Sequence, residues 1–475
     1  MFLFNFKIRQ RNYLKYLDNF FQIWKLLHKT RKYQVLFLFT FTFFSGFAEI
    51  FSLATVIPFL TVISSPQDLF KINLISNIFN LLGIEKTLDL ILFVTFVFCI
   101  AVILSSIIKI SNIWLASRIS ALIAIDLSKK CYKNVLNQNY IYFSDNNSSK
   151  LINTITINIT RTLDAIYGFM QLLADLIITF CLSFSLLIFN FRVGLILGFS
   201  LSILYIIAGN LTKKRLSNNS RYITLSERSQ IKSIHEALGL IRYIIIDQSK
   251  ETFLNYYSAS DKKIKLKLAE NNFLPLIPKY LIEGIAIILF GLVALSLGFG
   301  NGFDQKNILI LGTFALGAQR LLPSINRIFA SWASITSNMF AIESVLELLF
   351  LENNNINIKD KRKKYKFRFN EKIKLNSVYF SYFKNDIYTL KNINLLIPKS
   401  KKIAIIGRNG SGKSTLSDIL LGLLRPSKGE LIIDSKIIDF SKSEINGWRS
   451  IIAHVPQSIY IADSTFFENI AIGIP

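Results

Sequence analysis

Six long apolar stretches limit what this chain can fold into. They run over about Val35–Ile63, Leu88–Leu115, Leu163–Asn190, Val193–Leu211, Leu274–Phe299 and Ile308–Trp332. A bilayer core of about 30 Å takes roughly 20 apolar residues in a helix, and each stretch meets or approaches that length. The first carries Glu49 and Pro58, and a span tolerates such a proline where neighbours satisfy the freed backbone groups. Only 18% of the residues are charged and 51% are hydrophobic, against about 25% charged in ordinary soluble domains. This excludes a disordered chain and speaks against a wholly soluble one. The opening MFLFNFKIRQRNYLKY has neither the apolar core nor the small-residue cleavage site of a signal peptide.

Lys and Arg number 55 and Asp and Glu 30, a surplus of +25. Such a surplus suits nucleic acid, an anionic membrane surface or an anionic substrate. Its placement decides among them. Basic residues crowd the segment before the first span (Lys7 to Lys32), the interval between spans two and three (Arg118 to Arg161) and that between four and five (Lys213 to Lys267). The other connections hold only Lys71, Lys86, Arg192 and Lys306. Sorting by alternate loops is the positive-inside pattern. It places both termini in the cytosol of a multi-pass inner or plasma membrane protein and argues against a nucleic-acid partner. Cys99, Cys131 and Cys181 are far apart and form no CxxC, so neither a disulfide framework nor a zinc site is expected.

The long basic intervals, about 116–162 and 212–273, have helical periodicity broken near Asn139–Ser149 and Leu238–Asp247. In the first outer loop, Leu69, Ile72, Ile75, Phe79 and Leu82 share one face of an expected helix. That helix lies on the membrane or caps the adjacent spans. The polar, charged stretch around Asn353–Tyr365 reads as a linker. Short β-rich runs follow at Lys374–Phe380, Asn392–Ile397 and Lys402–Ile406.

Gly407-Arg408-Asn409-Gly410-Ser411-Gly412-Lys413-Ser414-Thr415 fits G-x-x-x-x-G-K-[ST] at every fixed position. The expected context is a strand, Lys402–Ile406, leading in and a helix, Leu416–Leu424, leading out. Glycines let backbone N–H groups approach phosphate oxygens at a helix N-terminus, where the dipole favours anions. Lys413 is placed to reach the β- and γ-phosphates of ATP, and Ser414 to ligate Mg²⁺.

With these features the chain resembles an ABC transporter half of exporter type. The implied fold is an α-helical membrane domain of six spans with long cytosolic extensions (1–349), a linker (350–366) and a partial α/β P-loop ATPase domain (367–475). Val378-Tyr-Phe-Ser-Tyr382 resembles the family's adenine-stacking segment, which implies that Tyr382 lies under the base; a plain core aromatic is the alternative. His454-Val-Pro-Gln457 resembles the Q-loop, which implies that Gln457 contacts Mg²⁺ and the attacking water. The breaks at Ile141–Asp145 and Leu238–Asp247 resemble coupling helices, and the family implies a homodimer.

Arg320-Leu-Leu-Pro-Ser-Ile-Asn-Arg327 sits in the sixth stretch, where an arginine costs about 2.5–3.5 kcal/mol on insertion scales. Seven positions is nearly two helical turns, which puts both guanidiniums on one face about 10 Å apart. This stripe could grip a phosphate through charge-assisted bonds, and the pattern resembles bacterial lipid-linked oligosaccharide flippases. Lys109 and Lys279 fall at comparable depth. Against this, Arg327 lies about 28 Å along the span, near the interface, where it could snorkel. Glu49, Asp164, Asp175 and Glu283 could also pair with either cation.

The resemblance further implies a helical subdomain, an LSGGQ signature, a Walker B strand and a switch histidine after the Q-loop. None stands in the sequence, which runs to Pro475. The expectation is an ATPase domain cut short after the Q-loop, without ATPase activity alone and completed by a separately encoded C-terminal piece if by anything. The alternatives are a peptide or drug exporter half, and an inactive nucleotide-binding fragment of a split or frameshifted transporter.

Overall fold

A computed structural model describes residues 18–64, 87–189, 191–298, 305–351, 367–382, 387–440, 444–457, 459 and 461–471. The expected outer-loop helix (68–82) and nearly all of the expected linker (352–366) lie outside the described residues. The chain divides into two compact units, one of residues 1–135 and 148–351, the other of residues 136–147 and 352–475.

The first unit is helical. After a short helix at residues 18–26 come α1 (Lys29–Ala54), α2 (Val56–Ser64) and α3 (Thr87–Leu136). The stretch expected as one span, Val35–Ile63, is two helices. A proline ring collides with the carbonyl four residues back; for Pro58 that carbonyl is on Ala54, where α1 ends. Pro58 then sits in the first turn of α2. At 50 residues α3 is about 75 Å long, well beyond a bilayer core. It runs through the second expected span into the basic interval.

The break near Asn139–Ser149 contains α4 (Tyr140–Asp145), followed by α5 (Ser148–Asn153), a π-helical turn (Thr154–Asn158) and α6 (Ile159–Phe189). Next come α7 (Phe191–Gly239), α8 (Ile241–Ile246) in the second expected break, α9 (Lys250–Phe273), α10 (Leu276–Gly298), α11 (Gln305–Ser337) and α12 (Met339–Leu349). Among the described residues, Lys29–Ile63, Leu88–Leu136, Ser148–Ser185 and Lys250–Leu292 are long and apolar enough to cross a membrane. The other two expected spans lie on α7 and α11.

Membrane logic is visible on α1. Its buried face is Val35, Leu38, Thr42, Ser45, Gly46, Glu49, Ser52 and Leu53, a helical stripe rich in small and polar residues. Leu36, Phe37, Phe43, Phe44, Phe47 and Phe51 are exposed. Lipid is as apolar as leucine, so close packing and polar contacts drive helix association there. A Cβ at Gly46 would lie 3.1 Å from Cys181 Sγ on α6. Thr42 Oγ1 and Asn112 Oδ1 are 3.3 Å apart across α1 and α3. In the basic extensions, the Arg161–Glu227 pair at 2.6 Å joins α6 to α7 with both side chains largely buried. Burial is the main push raising the Glu227 carboxyl above its usual range, and Arg161 opposes it.

The second unit holds an antiparallel sheet in the order β2-β1-β3-β4: β1 (Lys372–Phe380), β2 (Leu390–Pro398), β3 (Lys428–Ile433) and β4 (Lys436–Ile437). With α13 (Lys413–Leu420) and α14 (Glu444–Arg449) it encloses a core of Leu375, Val378, Phe380, Leu390, Ile419, Leu424, Leu431, Ile433, Ile438, Ile445 and Trp448. Trp448 Nε1 donates to Leu420 O at 2.8 Å, and Arg449 Nε to Gly422 O at 3.1 Å. Ile141 of α4 packs against the same core.

Two local expectations are corrected. The helix after the glycine-rich loop starts at Lys413 and stops at Leu420, short of the expected Leu424. Gly422, at φ +73°, turns the chain there, and a Cβ on it would meet Ile445 Cδ1 at 2.5 Å. The segment Lys402–Ile406 is not a strand; residues 401–408 carry no regular structure, and Ile406 is 93% exposed. A strand needs ladder partners for its N–H and C=O groups, and this segment pairs with no described strand.

Candidate phosphate cradle and membrane charge cluster

The cradle forms where the glycine-rich loop meets α13. Gly410 and Gly412 have φ of +80° and +90°, the left-handed region that costs other residues most. A Cβ on Gly412 would meet Leu390 Cδ2 at 2.7 Å, and one on Gly407 would meet Ser411 Oγ at 2.7 Å. These glycines hold the loop close to itself and to β2. At the first turn of α13 the leading N–H groups have no intrahelical acceptor. They point with the positive end of the helix dipole, which suits an anion.

The Lys413 side chain folds back over the loop, where Nζ donates to Gly407 O at 2.7 Å and Arg408 O at 2.8 Å. Ser414 is exposed on the first turn, while Thr415 is buried. Arg408, Asn409, Gly410 and Ser411 are exposed. A tight glycine turn, an exposed hydroxyl and a cation resting on neutral carbonyls together fit a polyphosphate. One turn further, burial pushes the Asp418 carboxyl above its usual range, and His454 pulls it back.

The expected cofactor residues are not all brought together. The Tyr382 hydroxyl shares a 3.1 Å hydrogen bond with Thr415 Oγ1. Its ring lies edge-on to Phe380 at 5.0 Å and packs on the sheet core, so it is tied to the cradle and half-buried. Gln457 lies exposed at a bend, and among the described residues no hydrogen bond joins it to the loop. Beyond it, Asn469 knots residues 462–469 by accepting from Ala462 N and donating to Ala462 O. Thr465 and Glu468 form a capping box there.

In the helical unit the two arginines are both ion-paired. Arg320 Nη1 lies 3.0 Å from Glu49 Oε2, whose other oxygen is 2.8 Å from Lys109 Nζ. Arg327 Nε lies 2.9 Å from Asp175 Oδ1, and Arg327 Nη2 donates to Ser324 Oγ at 3.0 Å. Between them Asn326 donates to Glu283 Oε1 at 2.8 Å and accepts from the Tyr205 hydroxyl. Asp164 has no ion pair with either arginine among those described. Sequence reasoning named Glu49, Asp164, Asp175 and Glu283 as carboxylates that could pair with either arginine; Glu49 and Asp175 do so, Glu283 takes Asn326 instead, and the roles of Tyr205 and Asn326 were missed. An opposite charge at equal depth in another span is the signal that could have found the pairs.

Residues 390–471 match the family model described as "ABC transporter". The heterocyst differentiation ATP-binding protein HepA of a Nostoc species is 26% identical over 366 residues, covering 74% of this chain and 57% of that protein. The ATP-dependent lipid A-core flippase of Pseudomonas fluorescens is 24% identical over 383 residues, covering 77% of this chain and 59% of that protein. The energy-coupling factor transporter ATP-binding protein EcfA1 of Mycoplasmopsis synoviae is 45% identical over 106 residues, 22% of this chain and 39% of its own. The chain thus spans under two thirds of the length of these curated relatives. The first two alignments extend well beyond the ATPase region. Residues 390–471 are thus similar to the ABC transporter ATPase domain, which implies ATP binding, and they follow a mostly helical region with membrane-length apolar helices, an order that supports an ABC half of exporter type.

Proposed function

We propose that this chain is part of an ATP-driven flippase that moves a phosphate-bearing lipid, such as a lipid-linked oligosaccharide, across the plasma membrane. The observation that carries the cargo reading is the pair Arg320 and Arg327. Both sit in α11, on the sixth expected span, two turns apart, and each is held by a carboxylate from another helix. Cations at that depth are costly and mark substrate paths or partners.

Gly407, Arg408, Asn409, Gly410, Ser411, Gly412, Lys413, Ser414 and Thr415 hold the nucleotide phosphates, with Tyr382 against the base. Bound Mg²⁺, taken by Ser414 and Gln457, would neutralise phosphate charge. Lys413 exchanges its two carbonyls for phosphate oxygens, and the α13 N–H groups fix their positions. In a dimer with both termini cytosolic, α4 and α8 act as coupling helices; Ile141 packing on the ATPase core supports this for α4. Residues 1–349 then serve as the membrane domain, 350–366 as its linker and 367–475 as the nucleotide-binding part, with completion in trans by a separate ATPase piece as one route to turnover.

The ion pairing also favours a second reading, a peptide or drug exporter half in which the arginines only pin helices. Lipids retained by the chain after mild detergent extraction separate the two. The flippase reading expects polyprenyl phosphates or pyrophosphates enriched over bulk lipid in wild type and depleted in Arg320→Gln and Arg327→Gln. No enrichment, or enrichment unchanged in both variants, overturns it.

A further inference from the structure

We propose that Lys109 and Glu49 set the charge of Arg320, so that the three-helix cluster carries one surplus positive charge that binds one anionic phosphate group. The inference rests on the lipid reading above and goes further by assigning roles to two residues outside the arginine pair. Glu49 on α1 lies 60 positions from Lys109 on α3 and 271 from Arg320 on α11. Its side chain is 6% exposed, and each carboxylate oxygen takes a different cation. Two cations share one anion, which leaves +1. Arg327 pairs with Asp175, and the Asp175 carboxylate also attracts Lys109, so the +1 is shared by five charges, three cations and two carboxylates.

The exposures are unequal in a useful way. Lys109 and Arg320 keep 30% and 25% of their side chains open. An incoming anion therefore meets the cations while the carboxylate stays sealed behind them. A buried charge left unpaired is expensive, so an exchange must leave every charge matched. One arrangement does so: Arg320 turns to the phosphate and Glu49 stays with Lys109. Arg320 suits this, because a guanidinium binds phosphate in a bidentate fork. Pro323, one turn on in the same helix, cannot donate to the Gln319 carbonyl, which relaxes the backbone beside Arg320. Lys109 is then a positioning residue. It need not touch the ligand, yet without it Glu49 and Arg320 neutralise each other.

The test is equilibrium binding of fluorescent phosphatidic acid to the purified full chain in neutral detergent, with fluorescent phosphatidylcholine as control. Wild type should prefer phosphatidic acid. Arg320→Gln and Lys109→Met should each weaken its binding by about tenfold or more. Glu49→Gln combined with Lys109→Met should recover it, because Arg320 is again uncompensated. Wild-type binding by Lys109→Met alongside loss in Arg320→Gln overturns the charge-setting role and leaves the lipid reading standing. So does a folded double variant that fails to recover, since Lys109 would then contact the ligand itself. Wild-type binding by Arg320→Gln overturns the lipid reading too. Lys109→Met retains a neutral Glu49–Arg320 pair, so this arm decides even if the double variant does not fold. Competition in a Lys413→Ala background separates the sources. Displacement only by unlabelled phosphatidic acid supports a headgroup. Displacement by inorganic phosphate supports the same cation with a soluble anion and counts against the lipid reading.

Discussion

Lys413 and Arg320 each rest a cation on oxygens of the protein, but by opposite routes. Lys413 reaches two neutral carbonyls five and six residues behind it. Arg320 reaches a charged carboxylate 271 residues away, which it shares with Lys109. The first arrangement is built by one loop and one helix turn; its partners are weak neutral acceptors, which under the proposed function a polyphosphate displaces. The second is built by three helices, and its partner is a full charge in apolar surroundings. The local site is therefore ready to exchange ligands, while the distant one also holds the helical unit together.

Substitutions can break or sharpen that contrast. The largest effect is expected at Glu49. In Glu49→Leu two partly exposed cations lose their buried anion, and breaking a fully buried pair costs about 3–5 kcal/mol, the upper bound here. Thermal unfolding of the detergent-solubilised chain should show it as a lowered midpoint with nucleotide binding retained below that temperature; an unchanged midpoint would mean that the cluster is not structural. Gly412→Ala comes next. Its φ of +90° and the 2.7 Å approach to Leu390 Cδ2 predict strain of about 1–3 kcal/mol, confined to the nucleotide unit. Proteolytic susceptibility around the glycine-rich loop should rise while the helical unit stays resistant.

The smallest effect concerns Tyr382. Tyr382→Phe removes only the bond to Thr415, worth about 1 kcal/mol or less, whereas Tyr382→Ala also removes the ring. If the ring stacks on the base, a contact worth roughly 1–3 kcal/mol in nucleic-acid complexes, the Phe variant keeps ATP affinity and the Ala variant loses it. Equal affinities in both would assign the ring to the core alone.

The same contrast explains what could be read from the amino acids. The cradle was readable because its chemistry lies within nine consecutive residues whose glycines, Lys413 and Ser414 have fixed spacing. The helical unit was readable as long apolar runs, but the break after Ala54 was not expected, since Pro58 was read as tolerated within a single span. What escaped was whatever depends on a distant partner. The segment Lys402–Ile406 has β-branched residues suited to a strand, yet a strand exists only with neighbours, and this segment finds none among the described residues. Arg320 and Arg327 stood out as costly residues in an apolar run. Which carboxylate each takes follows from how α1, α3, α6 and α11 pack, which no local spacing encodes. Tyr382 had two readings in the sequence, and the structure shows why both were reasonable, since it touches the core and the cradle at once.

The most direct test of a ready phosphate site is an equilibrium titration of the full chain with a fluorescent ATP analogue, in wild type, Lys413→Ala and Arg320→Gln. Saturable binding is expected in wild type and, unchanged, in Arg320→Gln. Lys413→Ala should bind on the order of a hundredfold more weakly, for two lost charge-assisted bonds. Wild-type affinity in Lys413→Ala, or no saturable binding to the wild-type chain, would contradict the assignment of the glycine-rich loop as the nucleotide cradle.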